Sequence, residues 1–323
     1  MNFVWRTDVH LSDKAPSSRV DDWASTVFGK LLQTKELALK SKAVAVLDGG
    51  DFFHIKSPTR NSHALVSRAI SHHSDYPCPV YCTPGNHDSV YGDYAFLPQQ
   101  PLGVLFSSGA YRRMYDEHEA TFEEGGVKVR VVGIPYHGTT YDMERFRGIQ
   151  KGDEDYLLCV AHVLASERGG TMFEGEDIVK YEDLLDTAPD VYLFGHWHKD
   201  QGVVELHGDK GPKFFINIGS LTRGSLSQDE VEREPAMALI SCAPDGISIE
   251  THRLKVEPPE VVFDVEGRAR QVKRQVEMDS FVTKIRDSLL PVSGEPLATS
   301  IEGMDVPSEV RERAISYLEQ VDR

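Results

Sequence analysis

Thiols, long apolar runs and basic charge are all scarce in this chain, and each shortage excludes something. Four cysteines (Cys78, Cys82, Cys159, Cys242) in 323 residues are too few for a disulfide scaffold and lack paired zinc-finger spacing. No apolar run reaches the ~18 residues of a membrane-spanning helix. The first residues, Met1-Asn2-Phe3-Val4-Trp5, show no basic stretch followed by an apolar one, so no secretory signal is expected. A reducing, cytoplasmic setting is the expectation. Lys and Arg number 35 against 51 Asp and Glu, a formal charge of −16. That acidity argues against a protein that grips nucleic acid by overall attraction. Internal repeats and low-complexity tracts are also missing, and the 40% hydrophobic share is ordinary for a soluble globular protein.

What is present gathers at strand ends. Phe3-Val4-Trp5 runs into Asp8-Val9-His10, and residues 43–47 run into Asp48-Gly49-Gly50-Asp51. Val80-Tyr81-Cys82 leads to Gly85-Asn86-His87-Asp88, residues 156–161 lead to His162, and residues 191–194 lead to Gly195-His196-Trp197-His198. Short runs rich in β-branched and aromatic residues, closed by Gly, Asp or Asn, read as buried strands entering tight loops. Such strand ends are where open α/β sheets carry their ligands.

Asp22 is placed to cap a helix running to about residue 42, with Trp23, Val27, Leu31, Leu37 and Ala38 along its apolar stripe. Further helices are predicted over 63–72, with Leu65, Val66, Ala69 and Ile70 inward, and over 178–185. β-rich stretches at 127–135 and 203–218 interrupt the alternation. The expected fold is therefore α/β, a sandwich of two mixed β-sheets flanked by helices. Pro258-Pro259 marks a boundary, separating a catalytic domain (1–255) from a small C-terminal α/β or helical appendage (256–323). The appendage holds a basic cluster (Arg268, Arg270, Lys273, Arg274), a helix near 279–290, a linker over 291–296 and an amphipathic helix over 308–321.

The strand ends collect Asp8, His10, Asp51, Asn86, His87, Asp88, His162, His196 and His198. Oxygen and imidazole donors without thiolate suit Mn²⁺, Fe²⁺ or Zn²⁺. They are too many for one four-coordinate ion, and two ions sharing a carboxylate is the economical arrangement, with Asp51 in its glycine-flanked turn as the bridge. Two dications outweigh two aspartates, so the centre attracts a phosphate oxygen and activates water. His87, surplus to coordination, is suited to protonate the leaving oxygen, and Asp88 to orient it by pairing.

The ordered series Asp8-x-His10, Gly50-Asp51, Gly85-Asn86-His87-Asp88, His162, Gly195-His196-x-His198 resembles the calcineurin-like metallophosphoesterase superfamily over about residues 1–250. The resemblance implies one metal held by Asp8, His10, Asp51 and His198, and a second held by Asp51, Asn86, His162 and His196. Gly50-Asp51-Phe52-Phe53-His54 and the later Gly219-Ser220 are similar to the SbcD-type DNA repair exonucleases. By that resemblance His54 sits beside the phosphate, and the chain is a Mn²⁺-dependent 3′–5′ exonuclease and single-strand endonuclease (Mg²⁺, Fe²⁺ or Zn²⁺ being alternatives). It also implies action on DNA ends and single strands with an SbcC-type coiled-coil ATPase, in a nucleoid-associated setting. A homodimer is implied through the 63–72 helix and the segment Tyr94-Phe96-Leu97, with residues 256–323 as a reduced cap and partner-contacting helix. Protein phosphatases of this superfamily carry Gly-Asn-His-Glu where Asp88 stands here. The alternative activity is a small-substrate, cyclic-nucleotide-type phosphodiesterase. Among the other histidines only His137, in Pro135-Tyr136-His137-Gly138, is a candidate for the site.

Overall fold

Each of the five apolar runs forms a strand in the computed structural model, which describes residues 1–90, 93–170, 175–209, 211–288, 301 and 305–321. The first sheet contains β1 (Asn2–Arg6), β2 (Ala45–Asp48), β3 (Val80–Cys82), β4 (Arg112–Arg113), β13 (Ala236–Ala243) and β14 (Gly246–Arg253), in the order β14-β13-β1-β2-β3-β4. The second contains β5 (Ala120–Glu124), β6 (Val127–Ile134), β7 (Tyr156–His162), β10 (Val191–Gly195), β11 (Asp200–Gly208) and β12 (Gly211–Ile218), in the order β11-β12-β10-β7-β6-β5. The first sheet is antiparallel along its β14-β13-β1 side and parallel from β1 to β4, and the second is parallel at its centre and antiparallel at both edges. The mixed sandwich is as expected.

Period-two alternation sorts the side chains into layers. Phe3, Trp5, Ala45 and Leu47 meet Leu158, Val160, Val191 and Leu193 between the sheets. Their neighbours Val4, Val46 and Val80 pack outward, against helix α1 (Trp23–Lys40) and helix α2 (His63–Ser74). On the far side, Cys159, Tyr192, Phe194 and Phe215 form the outer face of the second sheet. Each large apolar side chain buried this way contributes about 1.5–3 kcal/mol. The Asp22 carboxylate accepts from Ser25 N, and Leu65 and Ala69 are buried on α2, so both helices start and face as their sequences predict.

The 178–185 segment is not a helix of its own. Val179–Lys180 pairs in parallel with Ala165–Ser166 as a two-stranded sheet, β8 and β9, and only Tyr181–Leu184 coils into a 3₁₀ turn. Val179 and Tyr181 are both buried, a period-two spacing that the helical pattern concealed.

Behind the ends of β1 and β2, Arg6 is fully buried. Its guanidinium donates to Asp48 Oδ2 at 2.9 Å, Tyr76 Oη at 2.9 Å, Tyr111 Oη at 2.7 Å and His73 Nε2 at 2.8 Å. A buried charge is tolerated when satisfied this fully, and the network ties α2 to the strands that carry the first two motifs. The four cysteines are free. Burial pushes the Cys78 thiol up to about 11 and the Cys82 thiol well above its ordinary value, which suits structural thiols rather than nucleophiles. Among the described residues no helix is long and apolar enough to cross a membrane.

The chain divides into two compact units, Met1–Phe263 and Asp264–Arg323. Residues beyond Pro258-Pro259 stay with the first unit because Val262 and Phe263 are buried, and Arg19 lies 4.9 Å over the Phe263 ring. In the second unit the basic cluster lies inside one polar helix, Val265–Ser288, that begins earlier than its sequence suggests. There Arg270 pairs with Glu266 at 3.5 Å. The final helix spans Ser308–Val321. The expected 291–296 linker lies outside the described residues.

Candidate metal centre

The loops leaving β1 and β2 run side by side and continue the parallel ladder. Asp8 N donates to Gly50 O, His10 N to Asp51 O, Leu11 N to Phe52 O, and His54 N back to Leu11 O, all at 2.8–3.0 Å. Asp8, His10 and Asp51 hold φ of 52°, 51° and 51°, and His196 holds 90°. These are four of six non-glycine residues in the left-handed region among the described residues. Such conformers cost about 1–3 kcal/mol each and persist where surrounding structure imposes them, typically at functional sites. Across these conformers Asp8 and His10 keep their i, i+2 side chains on one side, as a strand would.

Three sets of donors have their atoms within 4.8 Å of one another: the imidazoles His10, His54 and His87, and two groups that include a carboxylate, Asp8, His10 and His198, and Asp51, His162 and His196. His10 Nε2 and His198 Nε2 are 2.9 Å apart, and His198 Nε2 is 3.5 Å from Asp8 Oδ1. Asp51 Oδ2 stands between the groups, 3.8 Å from His10 Nε2 and 3.6 Å from His162 Nε2. Asn86 Oδ1 joins the second group, 3.2 Å from His162 Nε2. All seven sequence-predicted ligands thus converge. The lack of thiolate and the carboxylate between two imidazole-rich groups fit a pair of divalent cations.

The carboxylates and imidazoles of the two groups shift one another's proton affinities. Burial opposes a charged His162, but the charge and hydrogen bond of Asp51 outweigh it and push the imidazole up to about 9. His198 is raised likewise by Asp8 against the cost of burial. Burial would raise the carboxyls of Asp8 and Asp51, yet the facing histidines hold both well below the carboxylate range. His10 goes the other way, lowered by burial and then by the like charge of His198. Cation binding must displace these protons.

His87 and His54 stand beside the first group, with ring centroids 5.2 Å apart and planes at 19°. His54 Nδ1 is 3.3 Å from His10 Nδ1. The expected Asp88–His87 pairing is not formed. His87 Nδ1 instead bonds the backbone oxygen of His54 at 2.7 Å, while Asp88 Oδ2 accepts from Asp51 N at 2.7 Å and Gly85 N at 2.9 Å. Asp88 is buried beneath the turn, facing the backbone it organises. Burial and then the nearby Asp51 charge push its carboxyl up to about 8. Gly85 is compelled by space: a Cβ there would lie 2.1 Å from Asp51 Oδ1 and 2.5 Å from His162 Cε1.

Residues 1–200 match the family of calcineurin-like phosphoesterases. The chain belongs to that family. No curated protein matches it in sequence. Among solved structures it is similar to the NAD nucleotidase of Haemophilus influenzae, at 15% identity and a TM-score of 0.45 over 79% of this chain and 56% of that one. It is also similar to an archaeal phosphodiesterase, at 12% identity and a TM-score of 0.38 over 78% of this chain and all of that one. The chain thus spans little more than half the length of the nucleotidase.

Calcineurin-like phosphoesterases hydrolyse phosphoesters with a dinuclear divalent metal centre, and this chain has the His/Asp clusters that could hold such ions. Its site contains groups that no motif announces. Tyr136, not His137, faces the centre, with its ring 5.2 Å from that of His196 and 6.2 Å from that of His162. His137 instead bonds Pro135 O and Asp142 N, a loop-holding role. Glu176 Oε1 is 2.9 Å from His196 Nε2 and accepts from Tyr141 Oη at 2.6 Å. Nothing in the local sequence sets Glu176 apart from the other acidic residues.

Proposed function

We propose that this phosphoesterase is a Mn²⁺-dependent DNA nuclease subunit of the SbcD type, acting on DNA ends and single strands with an SbcC-type ATPase. The observation that carries the reading is His54, from the SbcD-like Gly50-Asp51-Phe52-Phe53-His54, stacked on His87 beside the first ligand group. Together with His10 these rings make an imidazole wall, suited to the charged oxygens of a phosphodiester. When bound, two divalent cations polarise the phosphoryl group and lower the pKa of water. The chain's own residues then divide the remaining work. Asp51 places its carboxylate between the two groups, and Asn86 and the histidines set the donor geometry. The His54 carbonyl accepts a hydrogen bond from His87 Nδ1–H, so that His87 as an imidazolium keeps an Nε2–H to give to the leaving oxygen, ending as the neutral Nδ1–H imidazole. His54 itself is positioned to contact the phosphate.

Nucleotide release from linear duplex and single-stranded DNA with Mn²⁺, by protein alone and with its ATPase, tests this reading. Cleavage of DNA is expected at rates well above turnover of cyclic nucleotides. Turnover of cyclic nucleotides without DNA cleavage, even with the ATPase present, would transfer the site to a small-substrate phosphodiesterase, which the charge of −16 otherwise favours. The proposal includes a homodimer through α2 and the Tyr94–Gln99 turn, where Phe96 is 45% exposed. Sedimentation at micromolar protein should give twice the chain mass of 36.1 kDa, and a strictly monomeric mass removes the dimer.

A further inference from the structure

We propose that Glu176, braced by Tyr141, is a positioning residue that sets the tautomer and ring plane of His196 for the second cation. The inference rests on the metal-hydrolase reading of the Asp51, His162 and His196 group. It starts from a property of carboxylates: they accept hydrogen bonds and do not donate them. Glu176 Oε1 lies 2.9 Å from His196 Nε2, so Nε2 carries the ring proton and Nδ1 keeps the lone pair. A histidine ligates a cation through one unprotonated nitrogen, and the partner of its other nitrogen decides which one that is.

The brace is as specific as the contact. Tyr141 Oη donates to the same Glu176 oxygen at 2.6 Å and accepts from Leu164 N at 2.9 Å. Leu164 is fully buried two residues past the end of β7, so the carboxylate is tied to the strand that delivers His162. Tyr141 N donates to Asp177 Oδ2 at 3.1 Å, which holds the two loops together from the other side. The Glu176 side chain is 11% exposed, and Tyr136 packs against the imidazole that it holds. His196 has an unusual φ of 90°, and these contacts fix the plane of its ring. His198 of the first group also meets a carboxylate, Asp8 Oδ1 at 3.5 Å, but that one belongs to the ligand set itself.

The full chain, stripped of metal, is compared with Glu176→Ala, Glu176→Gln and Tyr141→Phe. One readout is long-range ¹⁵N–¹H NMR of the histidine rings without metal, and the other is calorimetric titration with Mn²⁺. The native protein should show His196 as the Nε2–H tautomer. Glu176→Ala should mix the tautomers and weaken the second Mn²⁺ site by ~10–100-fold with the first site unchanged. Glu176→Gln, whose amide oxygen accepts the same proton, should recover the tautomer and most of the affinity, and Tyr141→Phe should fall between. Native-like tautomer and affinity in Glu176→Ala would overturn the assignment. So would equal Mn²⁺ loss in Glu176→Gln with the tautomer intact, because Glu176 would then be a ligand. Fewer than two ions on the native chain would sink the metal reading and the inference with it, whereas two ions of native affinity on both native and Glu176→Ala would sink the inference alone. If Glu176→Ala does not fold, Tyr141→Phe, which keeps the carboxylate, decides by the same two readouts.

Discussion

Asp51→Asn should reduce the bound divalent cations from two to at most one and slow phosphodiester hydrolysis by about 10³-fold, on the order of 4 kcal/mol of barrier. The substitution keeps the shape of the side chain and an oxygen for the 2.7 Å bond from His87 N. It removes the one charge that stands between the two groups, 3.8 Å from His10 Nε2 and 3.6 Å from His162 Nε2. No neighbouring acid can replace it, since Asp8 lies with the first group and Asp88 is turned toward the Asp51 and Gly85 amides. Metal content after desalting and initial rates on one phosphodiester give both numbers. Two ions with near-native rates would show that the groups bind independently and that Asp51 bridges nothing.

His87→Ala should leave both cations in place and still lower kcat by about 10²–10⁴-fold on DNA, the range for a lost general acid. The imidazole meets the first group through His10, at a centroid distance of 4.9 Å. Its backbone N–H to Asp51 survives the substitution, so ligand geometry is retained. The leaving group supplies a sharper comparison. A nitrophenyl ester departs without a proton, and its hydrolysis should fall far less than that of DNA. Equal losses on the two substrates would give His87 a role in holding phosphate rather than in protonating the leaving oxygen.

The seven candidate ligands could be picked out because each follows a strand whose apolar run is unmistakable, and because strands that pair in parallel bring their carboxyl ends to one edge. The pairing of His162 with Gly195 across β7 and β10 is the spatial form of two motifs that stand 33 positions apart in the sequence. Legibility failed where spacing along the chain and proximity in space part company. Asp88 adjoins His87 in sequence, yet the turn sends the two side chains to opposite sides, one into the buried backbone and one toward the wall of imidazoles. Glu176 reaches His196 across a distance of 20 residues from a loop with no pattern, and only the folded chain distinguishes it from the other acidic residues. The 178–185 segment failed for a third reason: an apolar spacing compatible with a helix also served a two-residue strand and a 3₁₀ turn, and the partner strand β8 decided between them.

Every ligand group draws on both halves of the sandwich. Asp8 and His10 leave β1 in the first sheet, while His198 follows β10 in the second; Asp51 leaves β2, while His162 and His196 come from β7 and β10. An ion bound to either group would therefore also act as a buckle, adding to the apolar packing and to the hydrogen bonds, such as His162 Nδ1 with Gly49 O and His196 N with Asp8, that already join the two sheets. Its binding free energy adds to the free energy that keeps the layers shut, in proportion to the logarithm of free ion concentration. An enzyme of this build that is starved of metal loses its chemistry and its clasp together.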